Sequence, residues 1–259
     1  MSCPFHQSMT GKRVLVTGAG RGIGRAIAII CSNEGAKVAI ASRTFTELED
    51  TSRQMNSKEV SLHIADVNND HDVELMVKSI VSNWGGIDIL INNAGIPQAK
   101  KGSFETLESI DFASVLNCNV VSIHRVTSAV VPHMKQVGKI INVSSRAGKK
   151  ARSGIAFYVA SKFALEGLTA AMAEDLKERN ISVNSISPGM VNTKSFPKAE
   201  GLLGVRNADS IREGLLVLLG TEDTGRYLHV DELDSVRGNG LDDTLALKDI
   251  NEPDFDIWT

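Results

Sequence analysis

The chain predicts an α/β domain of the doubly wound class, a parallel sheet with helices on both faces. Three observations carry this. Short apolar, β-branched runs recur, helix-period stretches separate them, and no Pro-, Ser- or Gly-rich linker divides the 259 residues. The runs at 13–16, 37–41, 61–64, 88–91, 139–143, 181–186 and 226–230 read as seven strands. Their apolar residues are continuous rather than alternating, as in strands covered on both faces. Helical periodicity falls near 23–34, 45–56, 70–84, 111–136, 156–179 and 207–219. Strict alternation of the two types implies a seven-stranded parallel sheet with right-handed crossovers. Residues 1–10 read as a flexible polar N-terminus, 11–231 as one domain, and 232–259 as an acidic C-terminal extension.

Composition narrows the function classes. Hydrophobic residues at 42% and charged residues at 23% exclude a disordered or collagenous chain. No apolar run approaches the ~18 residues of a membrane-spanning helix. A net charge of -3 offers no basic field to nucleic acid. The six histidines show no metal-ligand spacing, so no metal site is expected. Cys3, Cys31 and Cys118 form no CxxC pair and suit a reducing compartment. With no apolar signal segment at the N-terminus, a cytoplasmic location is expected. Residues 231–259 hold nine acids against two bases, which reads as a solvated, partly mobile tail. The alternative is a tail docked on a neighbouring subunit through Leu241, Leu245, Leu247, Ile250 and Trp258.

After the first strand comes Thr17-Gly18-Ala19-Gly20-Arg21-Gly22-Ile23-Gly24, then an apolar helix. Strand, glycine turn and helix N-terminus together form a site for a pyrophosphate, as in Rossmann-type domains. The spacing is TGxxxGxG, with Ile23 where a GxGxxG string would have its third glycine. At the end of the second strand a carboxylate would hold the 2′-hydroxyl of NAD; here stand Ser42 and Arg43. A guanidinium pairs with a 2′-phosphate, and Arg21 can add a second charge. The predicted cofactor is NADP(H).

Tyr158 and Lys162 form YxxxK on a helical stretch, so they share one face. An ammonium beside a phenol favours the phenolate and lowers its pKa from ~10, which suits a general acid or base. Only two tyrosines occur in the chain, and Tyr158 follows Ser144-Ser145 at the end of the fifth strand.

These motifs, with Asp66-Val67 after the third strand, Asn92-Asn93-Ala94-Gly95 after the fourth, Asn119 in the long helix and Pro188-Gly189-Met190-Val191-Asn192-Thr193 after the sixth, resemble the short-chain dehydrogenase/reductase family over roughly residues 11–231. The resemblance implies a dinucleotide-binding and catalytic domain. Tyr158 would exchange a proton with a carbonyl or alcohol oxygen, and Ser145, rather than Ser144, would hold that oxygen. Lys162 would lower the Tyr158 pKa and bind the nicotinamide ribose, and Asn119 would order a water relaying protons to Lys162. Asp66 and Val67 would touch the adenine. Asn93, Ala94 and Gly95 would line the groove with Gly18, Gly20, Gly22, Ile23 and Gly24. Pro188, Gly189, Val191 and Thr193 would lie at the nicotinamide end.

The stretch from Lys194 to Ala208 is a short lid for this family, which predicts an open pocket and lax substrate choice. The family's glycine pair after Asp231 is missing. A homodimer through the helices near 111–136 and 156–179 is expected, with a homotetramer as the larger option. Lys100, Lys101, Arg146, Lys149, Lys150, Arg152, Lys194 and Lys198 fall around the expected pocket mouth. They read either as solvated loop charges or as steering for an anionic substrate. Three functions follow: an NADPH-dependent carbonyl reductase, an alcohol dehydrogenase of the same fold running oxidatively, and a non-catalytic NADP(H)-binding redox sensor.

Overall fold

The computed structural model describes residues 9–252, so the expectations for residues 1–8 and for Trp258 lie outside the described residues. Strands β1 (Arg13–Thr17), β2 (Lys37–Ser42), β3 (Val60–Ile64), β4 (Ile87–Asn92), β5 (Met134–Val143), β6 (Ile181–Ser187) and β7 (Arg226–His229) are parallel. A two-residue strand β8 (Lys248–Asp249) pairs antiparallel with β7. The order β3-β2-β1-β4-β5-β6-β7-β8 reverses direction between β1 and β4, where the sheet opens a crevice at its carboxyl ends. The expected seven parallel strands are thus present, and the C-terminal extension adds an eighth.

Successive side chains of a strand point to opposite faces, and each face has its own core. Val14 and Val16 of β1 join Ile27 of α1 (Gly22–Asn33), Leu48 of α2 (Phe45–Ser52) and Leu215 and Leu218 near the C-terminus. Leu15, on the other face, joins Met76 and Ile80 of α3 (Asp70–Trp84). Asn69 caps α3 by accepting from Asp72 N, and Gly85 ends it in the left-handed region at φ 75°.

The expected 111–136 helix is three pieces. Helix α4 (Ser109–Leu116) passes through a π-helical turn (Asn117–Val121) into α5 (Ser122–Val130). Pro132 then forces a 3-10 turn, and β5 begins early at Met134 through an irregularity in its register with β4. Helix α6 (Ala156–Leu176) carries Tyr158 and Lys162. Helix α7 (Arg212–Gly220) follows the lid.

The expectation of a solvated tail is not met over residues 230–252. Helix α8 (Val230–Gly238) buries Leu233, a 3-10 turn buries Ala246, and Ile250 is buried beyond β8. The acids misled because they are internally paired. Asp231 and Glu232 sit in the first turn of α8, where the helix dipole favours them. Arg237 holds Asp243 at 2.7 Å, Arg206 holds Asp234 at 2.6 Å, and Lys248 holds Glu232 at 3.3 Å. Leu241 and Leu245, expected to dock elsewhere, are exposed.

Leu233→Ala is expected to lower unfolding free energy by about 2–5 kcal/mol in a urea titration, because it empties a packed site. A tail outside the cooperative domain would give a change within about 0.5 kcal/mol.

Candidate active site

The carboxyl ends of the strands are joined through side chains. Thr17 Oγ1 accepts from the backbone N–H groups of Asn93 and Ala94, each at 3.1 Å. Asn93 Nδ2 returns bonds to the carbonyls of Thr17 (3.0 Å) and Gly18 (3.1 Å). The glycine turn is thereby clamped against the turn after β4. A Cβ on Gly18 would come within 2.9 Å of Ala94 Cα, and one on Gly24 would collide with the Gly18 carbonyl. Helix α1 opens with no side-chain cap and no acid in its first turn, so its free N–H donors are left for an anion.

Between these turns runs a groove of about 270 Å³. Gly18, Gly20, Arg21, Gly22, Ile23 and Gly24 line it from one side. Ser42, Arg43, Asp66 and Val67 line it from the ends of β2 and β3, and Asn93, Ala94, Gly95 and Thr193 complete it. Its glycine-walled cradle and unpaired helix donors fit a dinucleotide pyrophosphate. Pro188, Gly189 and Val191, expected at the nicotinamide end, lie outside the lining of this groove. A Cβ on Gly189 would meet Asp231 Oδ1 at 3.1 Å, and Val191 is buried and bridged to Arg206.

Residues unforeseen from sequence also line the groove. Glu47 on α2 holds Arg21 at 3.0 Å, and Arg21 also donates to Ser195 Oγ at 3.2 Å. Arg21 is therefore already engaged, while Arg43 makes no ion pair among the described residues. Nothing marked Glu47 beforehand, because its partner lies 26 positions away.

Beyond the groove, α6 lacks a side-chain cap of its own. Gln98, from the loop after β4, accepts from Phe157 N at 2.9 Å, and Phe157 stacks on Phe112 of α4 with centroids 4.7 Å apart. These contacts fix the turn that bears Tyr158. Asn92 Nδ2 donates to Asn142 Oδ1 (3.0 Å), and Asn142 Nδ2 to Thr169 Oγ1 on α6 (2.9 Å), tying β4 and β5 to the same helix.

Ser145 caps the 3-10 turn Arg146–Gly148, its Oγ accepting from Ala147 N at 3.1 Å. Tyr158 is partly exposed as a residue, yet its hydroxyl lies in dense surroundings. Burial pushes the phenol up to about 12, and a hydrogen bond with Ser145 opposes the rise. Lys162 Nζ donates to Val143 O at 2.9 Å and lies 5.8 Å from the Tyr158 ring centroid. Burial lowers its ammonium to about 8. Burial and Ser145, not Lys162, set the direction for the phenol here, and the ammonium is turned to a carbonyl.

Asn119, in the π-helical turn and 1% exposed, accepts from Ile96 N (2.8 Å) and donates to Ile96 O (3.0 Å) and Ser161 Oγ (3.1 Å). Its side chain holds the Gly95–Ile96 turn with both Nδ2 hydrogens engaged and one lone pair of Oδ1 remaining. The lid, expected to leave the pocket open, folds inward: the Phe196 ring lies 5.6 Å from that of Tyr158.

The family model for the short chain dehydrogenases matches residues 12–200. The chain belongs to this family. Its members are oxidoreductases acting on carbonyl or alcohol groups with a nicotinamide cofactor. A 3-oxoacyl-[acyl-carrier-protein] reductase of Vibrio cholerae is 35% identical over 190 residues, 72% of this chain and 76% of that protein. A short-chain dehydrogenase of Burkholderia cenocepacia, solved with NADP, superposes with a TM-score of 0.79 at 30% identity, covering 86% of this chain and 97% of the other. A 3-ketoacyl-(acyl-carrier-protein) reductase of Brucella melitensis, solved with NADH, gives 0.79 at 29% identity, covering 86% and 98%. Both dinucleotides thus occur among this short-chain dehydrogenase's structural neighbours. No helix among its described residues is long and apolar enough to cross a membrane.

One cluster joins the serine turn to the extension. Arg146 pairs with Asp231, Arg206 pairs with Asp231 at 2.7 Å, and the His229 ring lies between Arg146 Nε, 3.1 Å from its Nε2, and Asp231 N, 3.1 Å from its Nδ1, accepting from one of them as a neutral imidazole. Burial first, then Arg146, lowers fully buried His229 to about 4. The unfolded chain, near 6.5, binds this proton more readily. The stability from neutral His229 is complete above about pH 6.5 and falls by up to about 1.4 kcal/mol per unit toward pH 4. Urea titrations from pH 7 to 4 are expected to show a shallower dependence for His229→Asn, which retains a capping side chain for α8.

Proposed function

We propose that the chain is an NADPH-dependent reductase of ketones or aldehydes, with Tyr158 as the proton donor. One observation carries it: Tyr158 stands beside Ser145 and against Phe196, which lines the dinucleotide groove, one helical turn from Lys162. The bound cofactor would supply hydride to the carbonyl carbon. Tyr158 gives its proton to the carbonyl oxygen, and Ser145 Oγ donates a hydrogen bond to the same atom. Lys162 then stabilises the phenolate and reaches the nicotinamide ribose. Asn119 acts by holding the turn at Gly95.

NADPH is favoured because no carboxylate closes the end of β2 and Arg43 is free to take the 2′-phosphate, whereas Arg21 would first have to leave Glu47. Pairing of two copies is supported by exposed Ile110, Val121 and Phe163 on α4, the π-helical turn and α6.

An anionic substrate is supported by part of the basic rim only. Arg146 is spent on Asp231, Lys149 on the Ile250 carbonyl, and Lys194 lies 4.0 Å from Glu47. Lys101, Arg152 and Lys198 make no ion pair among the described residues. Buried Gln98 draws their loops together by donating to Lys100 O (2.7 Å) and Gly154 O (3.5 Å). Burial, Arg152 and Lys101 together lower the Lys198 ammonium, so three like charges converge.

A panel of 3-oxoacyl thioester, diketone, aromatic aldehyde, keto-steroid and sugar, followed by NADPH absorbance, tests the reaction. Tyr158→Phe should lose about 10²–10⁴-fold in kcat with NADPH affinity retained. A redox sensor would show no turnover to lose. Arg43→Ala should weaken NADPH about tenfold or more and leave NADH unchanged. NADH binding more tightly than NADPH in the parent protein would overturn the cofactor choice.

For a keto acid, kcat/KM should fall with rising salt and in Arg152→Ala, while that of a neutral ketone of similar size stays level. Equal responses would remove the anionic class.

A further inference from the structure

Glu47 is the carboxylate of α2 that lines the dinucleotide groove. It stands at the corner where the glycine turn meets the end of β2. A Cβ on Gly20 would come within 2.9 Å of Ser42 Oγ, 3.0 Å of Glu47 Cβ and 3.2 Å of Glu47 Oε2. The turn therefore rests directly on these two side chains. The other carboxylate oxygen, Oε1, holds Arg21 Nη1 at 3.0 Å. Arg21 Nη2 reaches across to the lid and donates to Ser195 Oγ at 3.2 Å. Lys194, the lid residue before it, lies 4.0 Å from the same Glu47 oxygen. Ser195 carries no charge, so among the described residues Glu47 is the carboxylate that neutralises Arg21.

This corner is where the two nicotinamide dinucleotides differ. Ser42 is already engaged there: its hydroxyl donates to Thr44 O at 3.1 Å and accepts from Thr44 N at 3.3 Å. The cations that remain for a 2′-phosphate are exposed Arg43, which is free, and Arg21, which is not. Arg21 becomes available only by leaving Glu47. The Glu47 charge also stands where a 2′-phosphate would bring more charge of the same sign. A 2′-hydroxyl makes neither demand, and the Arg21–Glu47 pair stays as it is.

We propose that Glu47 is a specificity-determining residue, which restrains the preference for NADPH over NADH by competing with the 2′-phosphate for Arg21. This rests on the cofactor reading above. An acid in the first turn of α2 also suits the helix dipole, which gives Glu47 a purely structural value. That value bears equally on both dinucleotides, whereas competition for Arg21 bears on the phosphorylated one alone. Both side chains of the pair are partly exposed, so the exchange of partners is a moderate effect.

Equilibrium titration with NADPH and NADH, and with adenosine 2′,5′-bisphosphate and 5′-AMP as competitors, reads this corner without turnover. Glu47→Gln should tighten NADPH and the bisphosphate by about two- to fivefold and leave NADH and 5′-AMP unchanged. Glu49→Gln removes the same charge from α2 at a position that faces Arg53 and lies outside the groove lining, and it should leave all four in place. In an Arg21→Gln background, Glu47→Gln should lose most of its effect. If Glu47→Gln does not fold, Glu47→Asp, with the carboxylate drawn back by one methylene, should give a smaller tightening of NADPH. An unchanged ratio of the two dinucleotide affinities, weaker NADPH binding, or a full effect without Arg21 overturns the proposal. A parent protein that binds NADH more tightly, yet gains NADPH affinity in Glu47→Gln, would defeat the cofactor choice and sustain the role of Glu47.

Discussion

The constraint on which the rest depends is the run of buried amides and hydroxyls joining the carboxyl ends of the central strands. Thr17 and Asn93 clamp the glycine turn; Asn92, Asn142 and Thr169 carry the connection across β5 to α6; Asn119 and Gln98 fix the loop after β4. Such groups are costly to bury unless they find partners, and here they find one another. Each member also leaves others stranded if removed, so the set behaves as a unit. Groove, serine turn and tyrosine helix are consequently fixed in one frame, although their residues come from distant parts of the chain.

Much of this was legible in the sequence. The strands are short apolar runs bounded by Gly, Asn and Ser; the glycine turn stands at the end of the first, and the YxxxK pair opens the helix after the fifth. Helix α8 was not legible, because Val230-Asp231-Glu232-Leu233 presents few apolar residues and its caps come from folded partners such as His229. Phe196 and Glu47 were missed because their significance depends on a lid and a neighbouring helix whose placement no local pattern encodes. The Tyr158 phenol shows the limit of pairwise reasoning: the YxxxK spacing gave the neighbour correctly, but burial and Ser145 set the direction of the phenol's shift.

Charge in this chain is organised internally. The extension carries an excess of acid, most of it paired within the extension or with Arg206, and it meets the basic pocket rim at Arg146 and Asp231. Arg146 and Arg206 meet at Asp231, and Lys149 reaches the carbonyl of Ile250. The extension thus supports the turn after Ser145 and the exit of the lid from behind. What remains unpaired at the rim is a smaller set of cations, confined to the loops that surround the substrate side.

The π-helical turn at Asn117–Val121 has a geometric consequence. Each residue advances an α-helix by about 100°, so one surplus residue rotates everything downstream by that angle. Upstream, α4 lays Phe112 on Phe157; downstream, α5 points Val126 and Val130 into the sheet. An uninterrupted helix of the same sequence could satisfy only one of these orientations. The widened turn absorbs that rotation, so excising a single residue between 117 and 121 would restore ideal helical bonding and leave both packing faces on their targets; the surplus residue is carried without disturbing the interior.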